Sequence, residues 1–351
     1  MTFKGLLTAA ALSAVTLAFP AMAAKNISIL ATGGTIAGSA ETSTQAGYTS
    51  GQVGVETLLA AVPQLKDLAN VSGEQVANVG SQDMSDEIWL TLAQRINTLL
   101  ASRKVDGIVI THGTDTIEET AYFLNLVVSS DKPVVMTAAM RPSIALSADG
   151  PLNIFNAVAV AADDDAARRG VLVVANDDIH GARSVTKTNT TDVQTFRSPE
   201  SGLIGTSLYG KNTFFRSPFR AHTRASDFSL KGVEALPRVD IMYMNASFSA
   251  DLIDSAVANG AKGLVIAGVG NGNMTADAQQ AVKRATKQGV AVVRSSRVPS
   301  GVTGRNVEAN DDELGTVAAG GLNPAKSRVL LKLALLNTSD AGKLQAIFDR
   351  Y

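Results

Sequence analysis

The sequence contains no cysteine and only three histidines among its 351 residues. Without cysteine, the chain has no disulfide and no thiol for catalysis or for binding a metal as a thiolate. His112, His180 and His222 lack the short spacings that are typical of a zinc site, so the sequence predicts no metal. The formal net charge is −1, which provides no positive excess for binding nucleic acid or an anionic membrane.

Long apolar runs are also scarce, and the one near the N-terminus is short. Residues 1–4 form a short basic start, and residues 5–19 are uncharged and mostly apolar. Ala21 and Ala23 then place small residues at the two positions that determine cleavage. This pattern predicts a secretory signal peptide over residues 1–23, with an N-terminal anchor as the alternative. No other segment contains 18 uninterrupted apolar residues, so we expect no membrane segment in the mature protein.

The remainder of the chain alternates between strand-like and helix-like segments. Residues 107–110 are a short apolar run, whereas residues 86–102 repeat apolar side chains at helical spacing, with Ile88, Leu92 and Ile96 on one face. Such alternation predicts an α/β fold in which helices cover both faces of a mostly parallel sheet.

The rhythm is broken once, between residues 211 and 238, where Pro218 and Pro237 occur with scattered basic residues. Little periodicity remains there, which indicates an interdomain connection. We therefore predict two α/β domains, the first larger with a mostly parallel sheet and the second smaller with a flavodoxin-like parallel sheet. Their expected boundaries are residues 1–23 for the signal peptide, 24–212 for the N-terminal catalytic domain, 213–237 for the linker and 238–351 for the C-terminal domain.

Three of the predicted strands end in glycine beside hydroxyl, amide or carboxylate groups, at residues 32–35, 80–83 and 111–116. In open parallel sheets ligands bind beyond the carboxyl ends of the strands, so these segments are candidates for one site. A phosphate loop is excluded, because Gly38 is followed by Ser39 and Ala40 rather than by lysine and a hydroxyl residue. His112 is a possible base, but a packed, hydrogen-bonded histidine is the favoured interpretation.

Threonine chemistry is what these segments offer. A threonine hydroxyl attacks only when a base takes its proton, and with few histidines the candidate base is a lysine. Thr114 and Asp115 supply a hydroxyl and a carboxylate side by side, and Lys187 lies among small polar residues. Each has a plainer interpretation. Thr114 and Asp115 could cap the following helix with Glu118 or Glu119, and Lys187 could be an ordinary surface lysine.

Two segments, ATGGTIAGS and ITHGTDTIEETAYFL, resemble the signature segments of bacterial L-asparaginases of the exported, homotetrameric type II group. The similarity extends over residues 26–351. Further matching segments are GEQVANVGSQDM, AAMRPSIALSADGP, TKTNTTDV, AGVGNGN, VVRSSRVPSG and LNPAKSRVLL. The resemblance implies hydrolysis of L-asparagine to L-aspartate and ammonia without a cofactor, with minor activity on L-glutamine, in the periplasm.

The resemblance also implies roles for individual residues. Thr35 matches the primary nucleophile, Tyr48 matches a tyrosine of the lid over the site, and Thr114, Asp115 and Lys187 match a second threonine with its proton relay.

Residues that hold the substrate are implied as well. Ser81, Gln82 and Asp115 match residues that bind its α-carboxylate and α-amino groups, and Ala139 matches a backbone contact to its amide. Asn271 and Glu308 match residues that a neighbouring subunit of the homotetramer contributes.

A different class also fits the length, the export signal and the two α/β domains, namely a bilobal periplasmic binding protein for a polar amino acid. Such a protein has no need of two glycine-flanked threonines and a lysine relay. Release of ammonia from asparagine distinguishes the two.

Overall fold

The computed structural model describes residues 23–38, 42–44, 49 and 51–351. The predicted signal peptide therefore lies outside the described residues, except for its last position. Over the part that is described, no helix has the length and apolar character needed to cross a membrane.

The described residues form fourteen strands and nine α-helices. The strands are β1 (Asn26–Gly33), β2 (Asn70–Val79), β3 (Gly107–Thr111), β4 (Val134–Thr137), β5 (Val171–Ala175), β6 (Asp178–Gly181), β7 (Thr186–Lys187), β8 (Phe196–Arg197), β9 (Gly205–Leu208), β10 (Lys211–Phe214), β11 (Val239–Tyr243), β12 (Gly263–Gly268), β13 (Ala291–Ser296) and β14 (Thr316–Ala318). The helices are α1 (Val55–Ala60), α2 (Asp86–Ala101), α3 (Ile117–Val127), α4 (Gly150–Ala162), α5 (Asp251–Ala258), α6 (Ala276–Lys287), α7 (Asp311–Leu314), α8 (Pro324–Ala334) and α9 (Ala341–Arg350).

The first sheet has eight strands in the order β10-β9-β6-β5-β4-β3-β1-β2. The strands from β5 to β2 are parallel to their neighbours, and β6, β9 and β10 extend the sheet in antiparallel pairs. The predicted mostly parallel sheet is confirmed. The sequence did not predict the antiparallel edge, because its strands are four residues long and carry polar side chains at many positions.

The second sheet has four parallel strands in the consecutive order β11-β12-β13-β14. This confirms the expected smaller parallel sheet near the C-terminus. Helix α8 covers one face, and its start is defined locally. Asn323 accepts a hydrogen bond from the Lys326 N–H, and Pro324 occupies the first turn, where a missing N–H costs nothing.

Three apolar layers pack against the faces of the first and second sheets. One lies on the α1 and α4 side of the first sheet, and another on the α5 and α6 side of the second. The third is continuous between the sheets and includes α2, α3, α8 and α9. The alternation within β1 shows how the layers form, since Ile27 and Ile29 point to the first layer and Leu30 to the shared one. Helix α8, which covers the second sheet, is therefore packed against α2 and α3, the helices that follow β2 and β3.

The segment between the sheets also contributes to the shared layer. Phe228, Leu230 and Val233 pack against it, and Leu236 is buried in it. Strand β10 ends at Phe214, so the domain boundary expected at residue 212 falls inside a strand of the first sheet. The predicted division into catalytic domain, linker and C-terminal domain otherwise stays a prediction.

Candidate active site

The three polar segments converge at one edge of the first sheet. Strands β2, β1 and β3 are adjacent, with Gly33 paired to Val79 and Ala31 paired to Thr111. The residues that follow these strands therefore meet beyond their carboxyl ends, which is where ligands bind in open parallel sheets. The Thr32 hydroxyl ties the strand ends together by donating to the Thr111 carbonyl at 2.9 Å.

Two glycines allow the first segment to approach the third. Gly34 has φ +81°, and a Cβ added there would lie 2.3 Å from the backbone nitrogen of Gly113. Gly33 has φ +105°, and its added Cβ would lie 2.4 Å from the Val79 carbonyl oxygen. Only glycine tolerates this conformation and this contact. Thr35 follows in a short 3₁₀ turn, with its side chain 5% exposed. The residues before Thr35 and Thr114 are thus in backbone contact.

Lys187 connects two of the predicted residues directly. Its Nζ lies 2.8 Å from Thr114 Oγ1 and 2.6 Å from Asp115 Oδ1. Thr114 is buried, and the Lys187 side chain is 17% exposed, so the amine faces the site rather than bulk solvent. Thr116 is the N-cap residue of helix α3, and its side chain makes no capping hydrogen bond. Neither plainer interpretation describes the structure, because Thr114 and Asp115 do not cap the helix and Lys187 is not a free surface lysine.

Strand β7 places Lys187. It pairs with β8, Lys187 opposite Phe196, and the Thr188 hydroxyl donates to the Thr195 carbonyl at 2.8 Å. The two-residue strands make a narrow ladder, so the position of the lysine depends on the groups packed around it.

The predicted substrate residues of the first sheet adjoin this arrangement. Ser81 is buried, and its hydroxyl accepts from the Asp115 N–H at 3.3 Å. Gln82 is exposed, and its amide folds over Gly80 and donates to Asp83 Oδ2 at 3.1 Å. Ala139 follows β4 and is buried in the same apolar layer as Ile36, the residue after Thr35.

Asn271 and Glu308 are brought together elsewhere, at the carboxyl edge of the second sheet. The Asn271 side chain accepts from the Gly304 N–H at 2.8 Å, and the Glu308 carboxylate adjoins Gly270. The fully buried Arg294 donates to the Asn271 carbonyl at 3.1 Å and pairs with Asp311. In the portion of the chain that is described, no hydrogen bond joins Asn271 or Glu308 to Thr114, Asp115 or Lys187. Tyr48 lies outside the described residues.

His112 is packed rather than poised as a base. The Trp89 Nε1–H donates to Thr120 Oγ1 at 2.8 Å, and that hydroxyl lies 3.0 Å from His112 Nε2. His112 Nδ1 lies 2.8 Å from the Gly113 carbonyl, which only accepts. Nδ1 therefore carries the hydrogen, and Nε2 accepts from Thr120. The sequence analysis missed Trp89 and Thr120, although Thr120 lies on the first turn of the helix predicted after His112.

We expect His112 to make the protein less stable in acid. Burial lowers its pKa from 6.5 to about 4. Between these values the unfolded chain binds a proton that the folded one does not, so stability is lost as pH falls from about 6.5 toward 4. At about 1.4 kcal/mol per pKa unit, the loss is on the order of 3 kcal/mol. Urea unfolding at several pH values should show this decrease in the free energy of unfolding. In His112→Asn, the part of the decrease that comes from His112 should disappear. An unchanged decrease in the variant would contradict the assignment.

A cleft of about 1060 Å³ lies beside the relay, between the two sheets. It is lined by Lys187 and Thr188 from one side and by Tyr243 and Arg297 from the other. Among the residues that the structure describes, no three histidine, aspartate or glutamate side chains are grouped as they would be to hold a metal ion.

Comparisons with known proteins identify the family of the chain. The family model described as "Asparaginase, N-terminal" matches residues 26–220, and "Glutaminase/Asparaginase C-terminal domain" matches residues 238–348. L-asparaginase 2 of Escherichia coli K12 is 54% identical over 97% of this chain and 98% of its own length. A probable periplasmic L-asparaginase of Haemophilus influenzae is 50% identical over 93% of each. The crystal structure of a probable cytoplasmic L-asparaginase from Campylobacter jejuni is 46% identical and covers 93% of this chain and all of its own, with a TM-score of 0.91. The chain belongs to the asparaginase family.

Proposed function

We propose that the protein hydrolyses L-asparagine to L-aspartate and ammonia, with Thr35 as the nucleophile and with Thr114, Asp115 and Lys187 moving the protons. One observation carries the proposal, which is the contact of the Lys187 amine with both Thr114 and Asp115. It places an amine that can act as a base beside the Thr114 hydroxyl, with a carboxylate to orient it, and this arrangement can take a proton from an attacking group without histidine or cysteine.

In the first half of the reaction, the Thr35 hydroxyl attacks the amide carbon of the substrate as its proton is removed. The resulting oxyanion accepts hydrogen bonds from backbone N–H groups of the glycine-rich segment. The carbon–nitrogen bond then breaks, and the nitrogen, which takes the proton that the Thr35 hydroxyl has lost, leaves as ammonia. The product of this half is an aspartyl ester on Thr35.

In the second half, a water molecule attacks the ester carbonyl. One proton of the water passes by way of the Thr114 hydroxyl to the Lys187 amine, the ester bond breaks, and that proton returns to the Thr35 oxygen as aspartate leaves. The Asp115 side chain is 60% exposed, so its carboxylate is accessible to the α-ammonium group of the substrate. Ser81 lies against the same loop and is assigned to the α-carboxylate.

A coupled ammonia assay with the purified mature protein tests the proposal. Asparagine should release stoichiometric ammonia and aspartate without any added cofactor. If asparagine binds without release of ammonia, the proposal is wrong, and the result favours a binding protein for a polar amino acid.

Gln82 is expected to favour asparagine over glutamine. One methylene is discriminated by about 10–200-fold in kcat/KM, so minor glutaminase activity should remain. Gln82→Glu would place a carboxylate against Asp83, which now accepts from the Gln82 amide. Repulsion between the two carboxylates should displace residues 80–83. The kcat/KM for asparagine should then exceed that for glutamine by a smaller factor. Comparable kcat/KM for the two amides in the wild type would refute the preference.

We further propose that Asn271 and Glu308 complete the site of a neighbouring subunit in a homotetramer. Among the described residues, no hydrogen bond joins either residue to the Lys187 contacts of its own chain, which supports this proposal. Asn271 is also held in place, since Arg294 donates to its carbonyl and the Gly304 N–H donates to its side chain. The test mixes Thr35→Ala with Glu308→Ala subunits. Exchange should restore activity, because some sites then receive both native residues. Exchange without recovery would contradict a shared site.

We also propose export to the periplasm, on the basis of the basic and apolar N-terminal stretch. One relative is named periplasmic and another cytoplasmic. Cell fractionation with N-terminal sequencing tests the proposal, and the mature chain should begin after Ala23.

A further inference from the structure

Lys326 is a buried lysine on α8, in the C-terminal part of the chain. Its side chain is 3% exposed, and burial lowers its pKa. The amine donates a hydrogen bond to the Val185 carbonyl and lies 3.4 Å from Glu118 Oε2. The Glu118 side chain is 14% exposed and also lies 3.4 Å from the Asn323 amide. The Lys326 amine is thus held in a buried position by one carbonyl and one carboxylate.

Both partners of Lys326 adjoin the proton relay. Val185 comes two residues before Lys187, at the entry to β7. Glu118 comes three residues after Asp115, on the first turn of α3. One side chain from α8 therefore binds the two segments whose spacing sets the distance from the Lys187 amine to Thr114 and Asp115.

We propose that Lys326 is a positioning residue, which fixes the Lys187 amine at hydrogen-bond distance from Thr114. The expected effect on catalysis rests on the proposed function, whereas the expected effect on the position of the Lys187 amine does not. Strand β7 has two residues and a two-residue partner, so its ladder restrains Lys187 weakly. A misplacement of about 1 Å at a reacting group can cost about 10²-fold in rate.

The alternative is that Lys326 only docks α8 against α3. Lys332 provides the matched control. It lies on the same helix, its side chain is also 3% exposed, and it pairs with Asp86 at the start of α2. Burial lowers its pKa as well. Both lysines join the same two parts of the chain, but only Lys326 contacts segments that carry the relay.

The experiment compares Lys326→Met with Lys332→Met. Methionine keeps much of the apolar stem. Removal of one partner of an ion pair destabilises a protein, because the Glu118 or Asp86 carboxylate is left unpaired, so both variants are assayed at a temperature at which circular dichroism shows them to be folded. Lys326→Met should lower kcat about 10- to 100-fold and change KM less than threefold, whereas Lys332→Met should keep kcat within about twofold. Equal effects of the two variants on kcat would overturn the proposal.

A second measurement does not depend on activity. In a crystal structure of Lys326→Met, the Lys187 Nζ should lie beyond hydrogen-bond distance from Thr114 Oγ1, and in Lys332→Met it should not. Glu118→Gln, which keeps an acceptor for Lys326, should retain the contact. An unmoved Lys187 in Lys326→Met would refute the positioning role even if asparagine hydrolysis is confirmed. A displaced Lys187 in a protein without asparaginase activity would support it while the proposed function fails.

Discussion

Thr35→Ala is expected to fold normally and to lose nearly all asparagine hydrolysis. Removal of one oxyanion donor typically costs about 10²–10³ in rate, and removal of the nucleophile itself should cost at least as much. The loss should fall on kcat, because Ser81, Gln82 and Asp115, the proposed substrate-binding residues, are unchanged. Steady-state ammonia release, with binding of aspartate measured by calorimetry, separates the two effects.

The fold should tolerate this change because the loop is shaped by its backbone. The Gly38 N–H donates to the Thr35 carbonyl at 2.7 Å, and this bond survives any side-chain substitution. Gly33 and Gly34 provide the left-handed conformations and the close contact with Gly113. Gly34→Ala would strike the backbone of Gly113, whereas Thr35→Ala only shortens a side chain.

Thr35→Ser is the matched control, since it keeps the hydroxyl and should retain a substantial part of the activity. Rapid-quench mass spectrometry with asparagine should detect an aspartyl ester on the peptide that contains Thr35. The ester should be absent from Thr35→Ala. If Thr35→Ala keeps more than a tenth of the wild-type turnover, Thr35 is excluded as the nucleophile.

Much of the fold could be predicted because buried parallel strands are continuous apolar runs. All five residues of β3 are buried, and so are all five of β5; the apolar run at residues 107–110 predicted β3. Strands at the antiparallel edge were missed, since their polar residues do not differ from those of loops. Helix α5 carries little signal for a related reason, because its eight residues give only two turns of periodicity.

The site could be predicted in part. Glycines and hydroxyl residues at strand ends are local signals, and the register of β1 with β3 brings two such segments together. The pairing of Lys187 with Thr114 spans 73 residues, and only the family resemblance connected them. The contact of Lys326 with Val185 spans 141 residues and has no local signal, since lysine on an amphipathic helix normally faces water.

Lys187→Met and Thr114→Val are each expected to lower kcat by about 10²–10⁴, the usual contribution of positioned proton transfer. The kcat of the double variant should be no lower than that of the less active single variant. The Lys187 amine lies 2.8 Å from the Thr114 hydroxyl, and it can exchange a proton with that hydroxyl only while the two groups are in contact. Groups that act as a unit lose their whole effect when either is removed.

The measurement is a double-mutant cycle on kcat. Thr286→Val is the control for deletion of a threonine hydroxyl, since Thr286 donates to the Leu314 carbonyl in the C-terminal part of the chain. It should cost stability and leave kcat within about twofold. Two losses that multiply in the double variant would mean that Lys187 and Thr114 act on different steps. The 2.8 Å contact would then be structural, and the proton of the attacking water would need another acceptor.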